Sequence, residues 1–256
     1  MRLIMRYQAG MIVLLLTLTL GQTMAFANVG VSAGIGFSQG QSPYRGVDSN
    51  PNTIPAFIAY EGEKGYFRGI EAGYYLWRAG DRQRNYRVAL LASGRLEGYH
   101  ASDSVYLQGM DKRGWSLDGG VGFVARQGFH QVTLKAVTDL LGKHEGQEVS
   151  ASYGYRWMIN RKLAITPSAS LSWMSADLLD YYYGVTQSES RTWRSAYSAD
   201  AGWQPSLGLT GMYSVTPRTS LMLAARTRWL PESATDSPLV DRDQISGMFG
   251  AIMFRF

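Results

Sequence analysis

Residues Ser246 to Phe256, reading SGMFGAIMFRF, alternate along their whole length. Phe256, Phe254, Ile252, Gly250 and Met248 fall on one side, and Arg255, Met253, Ala251, Phe249 and Gly247 on the other. A period of two with one apolar face marks an extended strand whose two faces meet different surroundings. A strand of this kind that ends on an aromatic residue has the pattern of the last strand of a β-barrel in a lipid bilayer. The edge strand of a soluble β-domain is the competing reading.

The other end of the chain favours the membrane. Arg2 and Arg6 form a short basic region, Met11–Leu20 (MIVLLLTLTL) is apolar, and Ala25-Phe26-Ala27 offers small residues where a signal peptidase cuts. The apolar run of about ten residues is half of the about 20 that a transmembrane helix needs. The expected layout is therefore a cleaved signal peptide over residues 1–27 and a single barrel domain over 28–256, exported to the outer membrane of a Gram-negative cell.

Composition narrows the classes. There is no Cys, which removes disulfides, thiolate zinc sites and lipoprotein anchoring. Loss of Arg2 and Arg6 takes the formal net charge from +5 to +3, too small and too dispersed for a nucleic-acid footprint. After residue 27 no stretch reaches 18 consecutive apolar residues, so membrane crossing by helices is excluded. Backbone that enters lipid without helices must close its hydrogen bonds into a barrel.

Alternating segments recur: Val29–Phe37, Ile54–Tyr60, Tyr66–Trp77, Tyr86–Tyr99, Leu117–Phe123, Gln131–Leu141, Glu148–Met158, Leu163–Trp173, Gly202–Val215, Ser220–Trp229 and the last. Breaks such as Glu61–Gly65, Ile159–Lys162 and Val215–Arg218 read as tight hairpins. Eleven segments conflict with the even strand number of such barrels. Twelve strands are expected, with ten as the alternative, and a missing strand is sought in Leu179–Thr186 or Ser104–Met110. Trp77, Trp157, Trp173, Trp203 and Trp229 sit near segment ends, as interfacial girdles require. Arg68, Glu71, Lys135, Asp139 and Arg226 are expected to face the lumen. The fold class is thus all-β, an antiparallel transmembrane β-barrel.

Four breaks are longer and more particular than hairpins need: SPYRGVD (Ser42–Asp48), Tyr106–Arg113 with its QGMDKR, DYYYGVTQSES (Asp180–Ser190) and ATDSPLVD (Ala234–Asp241). With Tyr60-Glu61-Gly62, Phe67-Arg68-Gly69 and Gly73–Trp77, they make the chain resemble the MipA/OmpV family of outer-membrane proteins over essentially the whole span after residue 27. The resemblance implies a scaffold that brings a membrane-bound lytic transglycosylase together with a bifunctional penicillin-binding protein, coupling murein cutting to synthesis. A small porin or a surface adhesin or stress-response barrel are the alternatives, since fold kinship does not fix a partner.

On this reading Tyr44, Asp111, Lys112, Arg113, Tyr181, Tyr182, Tyr183, Asp236, Ser237 and Asp241 are candidate partner contacts. Tyr suits such contacts because it buries area and keeps a hydroxyl near water. Asp236 or Ser237 is placed to cap the turn that Pro238 stiffens, and Arg45 and Asp48 to pair across theirs. Phe254 and Phe256 are the expected signal for the barrel-insertion machinery, with outer-membrane lipid the other partner. No cofactor is expected. His100, His130 and His144 are read as surface or loop histidines, and no HExxH, calcium loop or phosphate loop occurs, so no catalysis is expected.

Overall fold

A computed structural model of the chain describes residues 30–47 and 52–256, with backbone alone for 52–56. The expected signal peptide and Asp48 lie outside the described residues. The chain forms β1 (Gly30–Gly40), β2 (Asn52–Glu61), β3 (Gly65–Arg68), β4 (Glu71–Gly80), β5 (Arg84–Arg95), β6 (Ser116–Gln127), β7 (His130–Asp139), β8 (Gln147–Tyr155), β9 (Trp157–Met158), β10 (Leu163–Met174), β11 (Gly202–Ser214), β12 (Thr219–Trp229) and β13 (Gln244–Arg255). β8 and β9 are two stretches of one strand, both paired with β10, so the wall is a closed antiparallel barrel of 12 strands. Among the described residues no helix is long and apolar enough to cross a membrane.

Closure is made by the terminal strand. β13 pairs with β1 in the register Ala33↔Phe254, Ile35↔Ile252 and Phe37↔Gly250, and the Phe256 N–H donates to the Val31 carbonyl at 3.0 Å. An edge left open in lipid would strand every one of these backbone groups. Phe37 lies across Gly250, where a Cβ would come within 2.4 Å of its ring; glycine lets an aromatic cover the seam.

Alternation separates lipid from lumen. Ile35, Phe37, Ile58, Tyr74, Leu76, Leu90, Val121, Leu134, Val149, Leu207, Leu209, Leu223, Ile252 and Phe254 are exposed outward, an apolar belt that only lipid can cover. Trp77 and Trp157 mark one end of the belt, and Trp173, paired with Trp203, the other. Inward, the wall divides into two parts. Strands β3 to β8 carry most of the charge, whereas Phe57, Ala59, Met222, Phe249, Ala251 and Met253 form an apolar cluster on the opposite side.

The twelfth strand is not where it was sought. Tyr66–Trp77 is two strands: β3 and β4 pair as a hairpin, Tyr66 opposite Gly73 and Arg68 opposite Glu71, around Gly69 at φ 66°. Tyr66 therefore points inward and Tyr74 outward, although they share parity. Of the segments proposed instead, residues 176–183 form a helix, α1 (Ala176–Tyr183), and Val105–Leu107 a 3-10 turn. Ser175 starts α1 by accepting the Leu178 N–H. α2 (Glu232–Thr235) is a single turn.

The break between β8 and β9 has a local cause. Pro167 on β10 lies between Ser168, opposite Gly154, and Ile165, opposite Trp157. It has no N–H to offer the strand beside it, while on the other side of that strand the Arg156 N–H continues the pairing with β7 by donating to the Phe129 carbonyl at 2.8 Å.

The two ends differ. Connections after β2, β4, β6, β9 and β11 are tight turns and share their end with both Gly30 and Phe256. Asn160 Oδ1 accepts the Lys162 and Leu163 N–H groups, and Thr216 Oγ1 those of Arg218 and Thr219. The long connections, those that follow β1, β5, β10 and β12, all leave from the opposite end. Short turns are periplasmic and long loops extracellular in such barrels, which orients the molecule.

Candidate functional site

The four unusual segments meet at the extracellular end as one body. Tyr44, Tyr99, Leu107, Met110, Leu178, Leu179, Tyr182, Tyr183, Val185, Leu239 and Val240 pack into a single buried core above the lumen. Each such side chain taken from water contributes on the order of 1.5–3 kcal/mol, enough to hold loops that have few ladder hydrogen bonds.

Polar contacts then fix the loops to one another. The Tyr44 hydroxyl donates to the Tyr182 carbonyl at 3.3 Å, and Tyr44 makes a β-bridge with Val240. Ser237 Oγ donates to the Tyr183 carbonyl and accepts the Leu239 N–H, so Ser237 is the capping residue of its turn. Arg113 donates from Nη2 to both Glu189 oxygens at 3.0 Å and from Nε to the Tyr181 carbonyl. The Asp111 N–H donates to Glu189 as well, at 2.8 Å. Burial opposes ionisation of Glu189, but the amides of Asp111 and Thr186, the Thr186 hydroxyl and Arg113 together hold its carboxyl below the usual range.

The candidate contact residues separate accordingly. Tyr44, Tyr182, Tyr183 and Ser237 are buried, so they build the loop core and offer no surface to a partner; this corrects their assignment. Three adjacent tyrosines cannot share a strand face, and the helix α1 resolves this by turning two of them inward. Tyr181 is half-buried and receives Arg113 and Gly114. Asp111, Lys112, Asp236 and Asp241 are exposed. All ten lie at the extracellular end, away from any periplasmic enzyme.

Below this core the lumen is crossed by ion pairs. Arg95 reaches Asp118 at 2.6 Å and Glu148 at 2.7 Å, and Arg228 reaches Glu97 at 2.6 Å. Burial disfavours the charged form of Glu97, yet Arg228 and Arg95 beside it keep its carboxyl below the usual range. Further down, Lys135 pairs with Glu71, which also accepts from the Tyr66 hydroxyl. Glu61 pairs with Arg68 at 2.7 Å and Arg87 at 2.9 Å. Arg226 donates to Ser206 and Ser170. The expected inward residues Arg68, Glu71, Lys135 and Arg226 are in this lumen. Asp139 sits at its upper edge, accepting the Ser116 hydroxyl and the amides of Leu141, His144 and Glu145.

His144 is a loop histidine, as expected, but it is not at the surface. It is buried, 4 % exposed, with Nε2 at 2.9 Å from Asp118 Oδ1, while Nδ1 accepts the Gly146 N–H at 3.1 Å. With Nδ1 an acceptor, the imidazole proton sits on Nε2 and is given to Asp118. Neither nitrogen keeps a lone pair for activating a hydroxyl nucleophile. Asp118, Asp139 and His144 offer atoms within 4.8 Å of one another, but the same atoms serve Arg95, the 140–146 turn and each other.

Sequence reasoning missed Arg95, Glu97, Asp118, Glu148, Arg194 and Arg228. The five in the lumen, Arg95, Glu97, Asp118, Glu148 and Arg228, had one signal, charge at inward parity in the alternating segments. Arg194, in an irregular loop, had none. It is buried and donates to the carbonyls of Tyr106 at 2.6 Å, Gln108 at 3.1 Å and Glu189 at 2.7 Å.

The periplasmic mouth is lined differently. A cavity of about 700 Å³ opens there between β4, β5, β6 and the β8–β9 break, lined by Arg78, Arg82, Arg87, Arg126 and Arg156 with Asp81 the one carboxylate.

Comparison with known proteins agrees with the architecture. The chain is 33% identical over 229 residues to an Escherichia coli protein named putative outer membrane protein YiaT, covering 88% of this chain and 91% of that one. It is 29% identical over 238 residues to the MltA-interacting protein of Shigella flexneri, covering 91% and 93%. It is 28% identical over 158 residues to outer membrane protein OmpV of Vibrio cholerae, covering 61% and 60%. The model of the family described as MltA-interacting protein MipA matches residues 33–256, and the chain belongs to that family of outer-membrane β-barrels.

Proposed function

We propose that this protein is a non-catalytic scaffold of the outer membrane that holds a murein hydrolase, a lytic transglycosylase, near a bifunctional penicillin-binding protein. The observation that carries this reading is a barrel filled from within. An apolar loop core covers the outer end, and the ion pairs of Arg95, Glu71 and Glu61 cross the lumen beneath it. A filled barrel works through its surfaces. The name of the Shigella flexneri relative supports a murein enzyme as the partner.

A periplasmic partner meets the turn end. The contact surface is therefore assigned to the exposed turns at Glu63-Lys64, Arg82-Gln83, Asn160–Lys162 and Pro217-Arg218, in place of the extracellular loops. The commitment of both His144 nitrogens supports the absence of catalysis.

Detergent extracts of whole envelopes, with the tagged protein captured, provide the test. Co-purification of a lytic transglycosylase, reduced by charge reversal at Lys64 and Arg161, is the expected result. Retention of no murein enzyme under conditions that preserve a known envelope complex would remove the proposal. Phospholipid or lipid A hydrolysis by the purified protein would remove its non-catalytic part.

A further inference from the structure

We infer that a small cavity inside the lumen, lined by both Glu148 and Arg226, is a binding site for a small zwitterion, an α-amino acid of the size of glycine or alanine. The cavity measures about 70 Å³. Met174 belongs both to its lining and to the loop core. That core closes the outer side, so a ligand enters from the periplasmic mouth. A buried water needs about 10–15 Å³, so this space takes a few waters or one molecule of about five heavy atoms.

The polar groups of the lining are incompletely used. Gln204 is 6 % exposed and Ser172 4 % exposed, and among the described residues neither side chain has a hydrogen-bond partner. Arg226 donates from Nη2 to Ser170 at 2.9 Å and to Ser206 at 2.6 Å, and from Nε to Ser206 at 3.2 Å. These partners are neutral hydroxyls, and among the described residues Arg226 forms no ion pair. Glu148 is held by Arg95 through Oε2 at 2.7 Å, and its Oε1 has no partner among the described residues. A cation without an anion and a carboxylate oxygen without a donor therefore line one space. Buried polar groups left unpaired are costly, which favours an occupant that bonds to all four.

The charges select the class of ligand. The lining carries Arg95, Lys135 and Arg226 against Glu71, Asp118 and Glu148, which sum to zero. An ion of either sign would add an unbalanced charge inside the lumen, whereas a zwitterion adds none. Its carboxylate is matched by the N–H donors of Arg226 Nη1, which the serines leave unused. Its ammonium is matched by Glu148 Oε1, and Gln204 and Ser172 supply the remaining hydrogen bonds. A few placed polar groups in a small cavity are what fix the orientation of such a ligand. This site needs no protein partner and stands apart from the scaffold reading.

The test is equilibrium dialysis of the whole protein, folded in non-ionic micelles, against radiolabelled glycine and alanine, with acetate and methylammonium as singly charged comparisons. Saturable binding of glycine or alanine is expected, at least tenfold tighter than either comparison. Arg226→Gln should weaken it at least tenfold, and Ser172→Leu, which fills the space, should abolish it. Lys143→Gln, on an exposed turn at the outer end, should leave it unchanged. Heat-modifiable migration identifies folded variants, and Ser172→Leu carries the test if Arg226→Gln does not fold. Absence of saturable binding by the parent protein, the result for a cavity that holds water alone, overturns the inference. Equal binding of acetate or methylammonium, or unchanged binding by a folded variant of Arg226 or Ser172, overturns it as well.

Discussion

The guanidinium of Arg194 donates to the carbonyl of Tyr106 at 2.6 Å, across 88 residues of chain. The same side chain reaches Gln108 and Glu189, so one buried cation ties the loop after β5 to the loop after β10. Hydrogen bonds from a charged donor contribute about 1.5–3 kcal/mol each when their loss leaves buried acceptors unpaired. Arg194→Lys keeps the charge but not the fan of donors. It is expected to expose residues 96–115 and 175–201 to limited proteolysis while leaving the barrel heat-modifiable. Unchanged protease resistance would show that the apolar core alone holds these loops.

Glu189 gives the loop body a pH dependence. Its folded carboxyl lies below its ordinary value, so the folded state binds protons less readily than the unfolded loop. The stability it contributes is fully present above about pH 4.3, the ordinary value for Glu, and is lost as pH falls through the depressed folded value. Proteolytic opening of the loops should therefore increase only on acidification below that point, and Glu189→Gln should remove the dependence. Opening on alkalisation would reverse the sign and refute the assignment.

Arg95 is the centre of the luminal network, within reach of Asp118, Glu148 and Glu97. Arg95→Ala leaves three carboxylates facing one another in a filled lumen. Breaking a buried pair in this way costs about 3–5 kcal/mol. Urea unfolding in micelles should show a lower midpoint, with partial recovery when Glu148→Gln is added. A midpoint equal to that of the parent protein would mean that water already screens the lumen.

Gly73 and Tyr66 are coupled by space. A Cβ on Gly73 would lie 2.3 Å from the Tyr66 ring, and that ring carries the hydroxyl bound to Glu71 and lies 4.0 Å below the Arg68 guanidinium. Gly73→Val should destabilise by about 1–3 kcal/mol through overpacking. The double variant Gly73→Val/Tyr66→Ala should cost less than the sum of its parts. Additive costs would place the strain elsewhere.

The barrel was legible because lipid enforces alternation: Val149, Ala151, Tyr153 and Trp157 face out as their parity requires. The β3–β4 hairpin was legible in principle. Arg68 and Glu71 stand an odd number of residues apart, so both can face the lumen only if the chain reverses between them, as it does at Gly69. Their charge alone places both in the lumen, and only their parity demands the reversal. The helix α1 was hidden because its tyrosines suit strands as well. The loop body was hidden more deeply. Tyr44, Tyr182 and Ser237 look like surface residues in isolation, and their burial follows from contacts across the whole chain, which no local pattern records. The polarity of the barrel, which moves the proposed partner surface to the turns, depends on the complete strand count.

Photocrosslinking in intact envelopes tests the central claim most directly. Photoreactive residues placed at Lys64, Arg161 and Arg218 on the turns, and at Asp111 and Asp236 on the loops, sample both ends of the same folded barrel. The account predicts adducts with a lytic transglycosylase from the turn positions and none from the loop positions. Adducts from Asp111 or Asp236, or none from any turn, would contradict a scaffold that works through its periplasmic end.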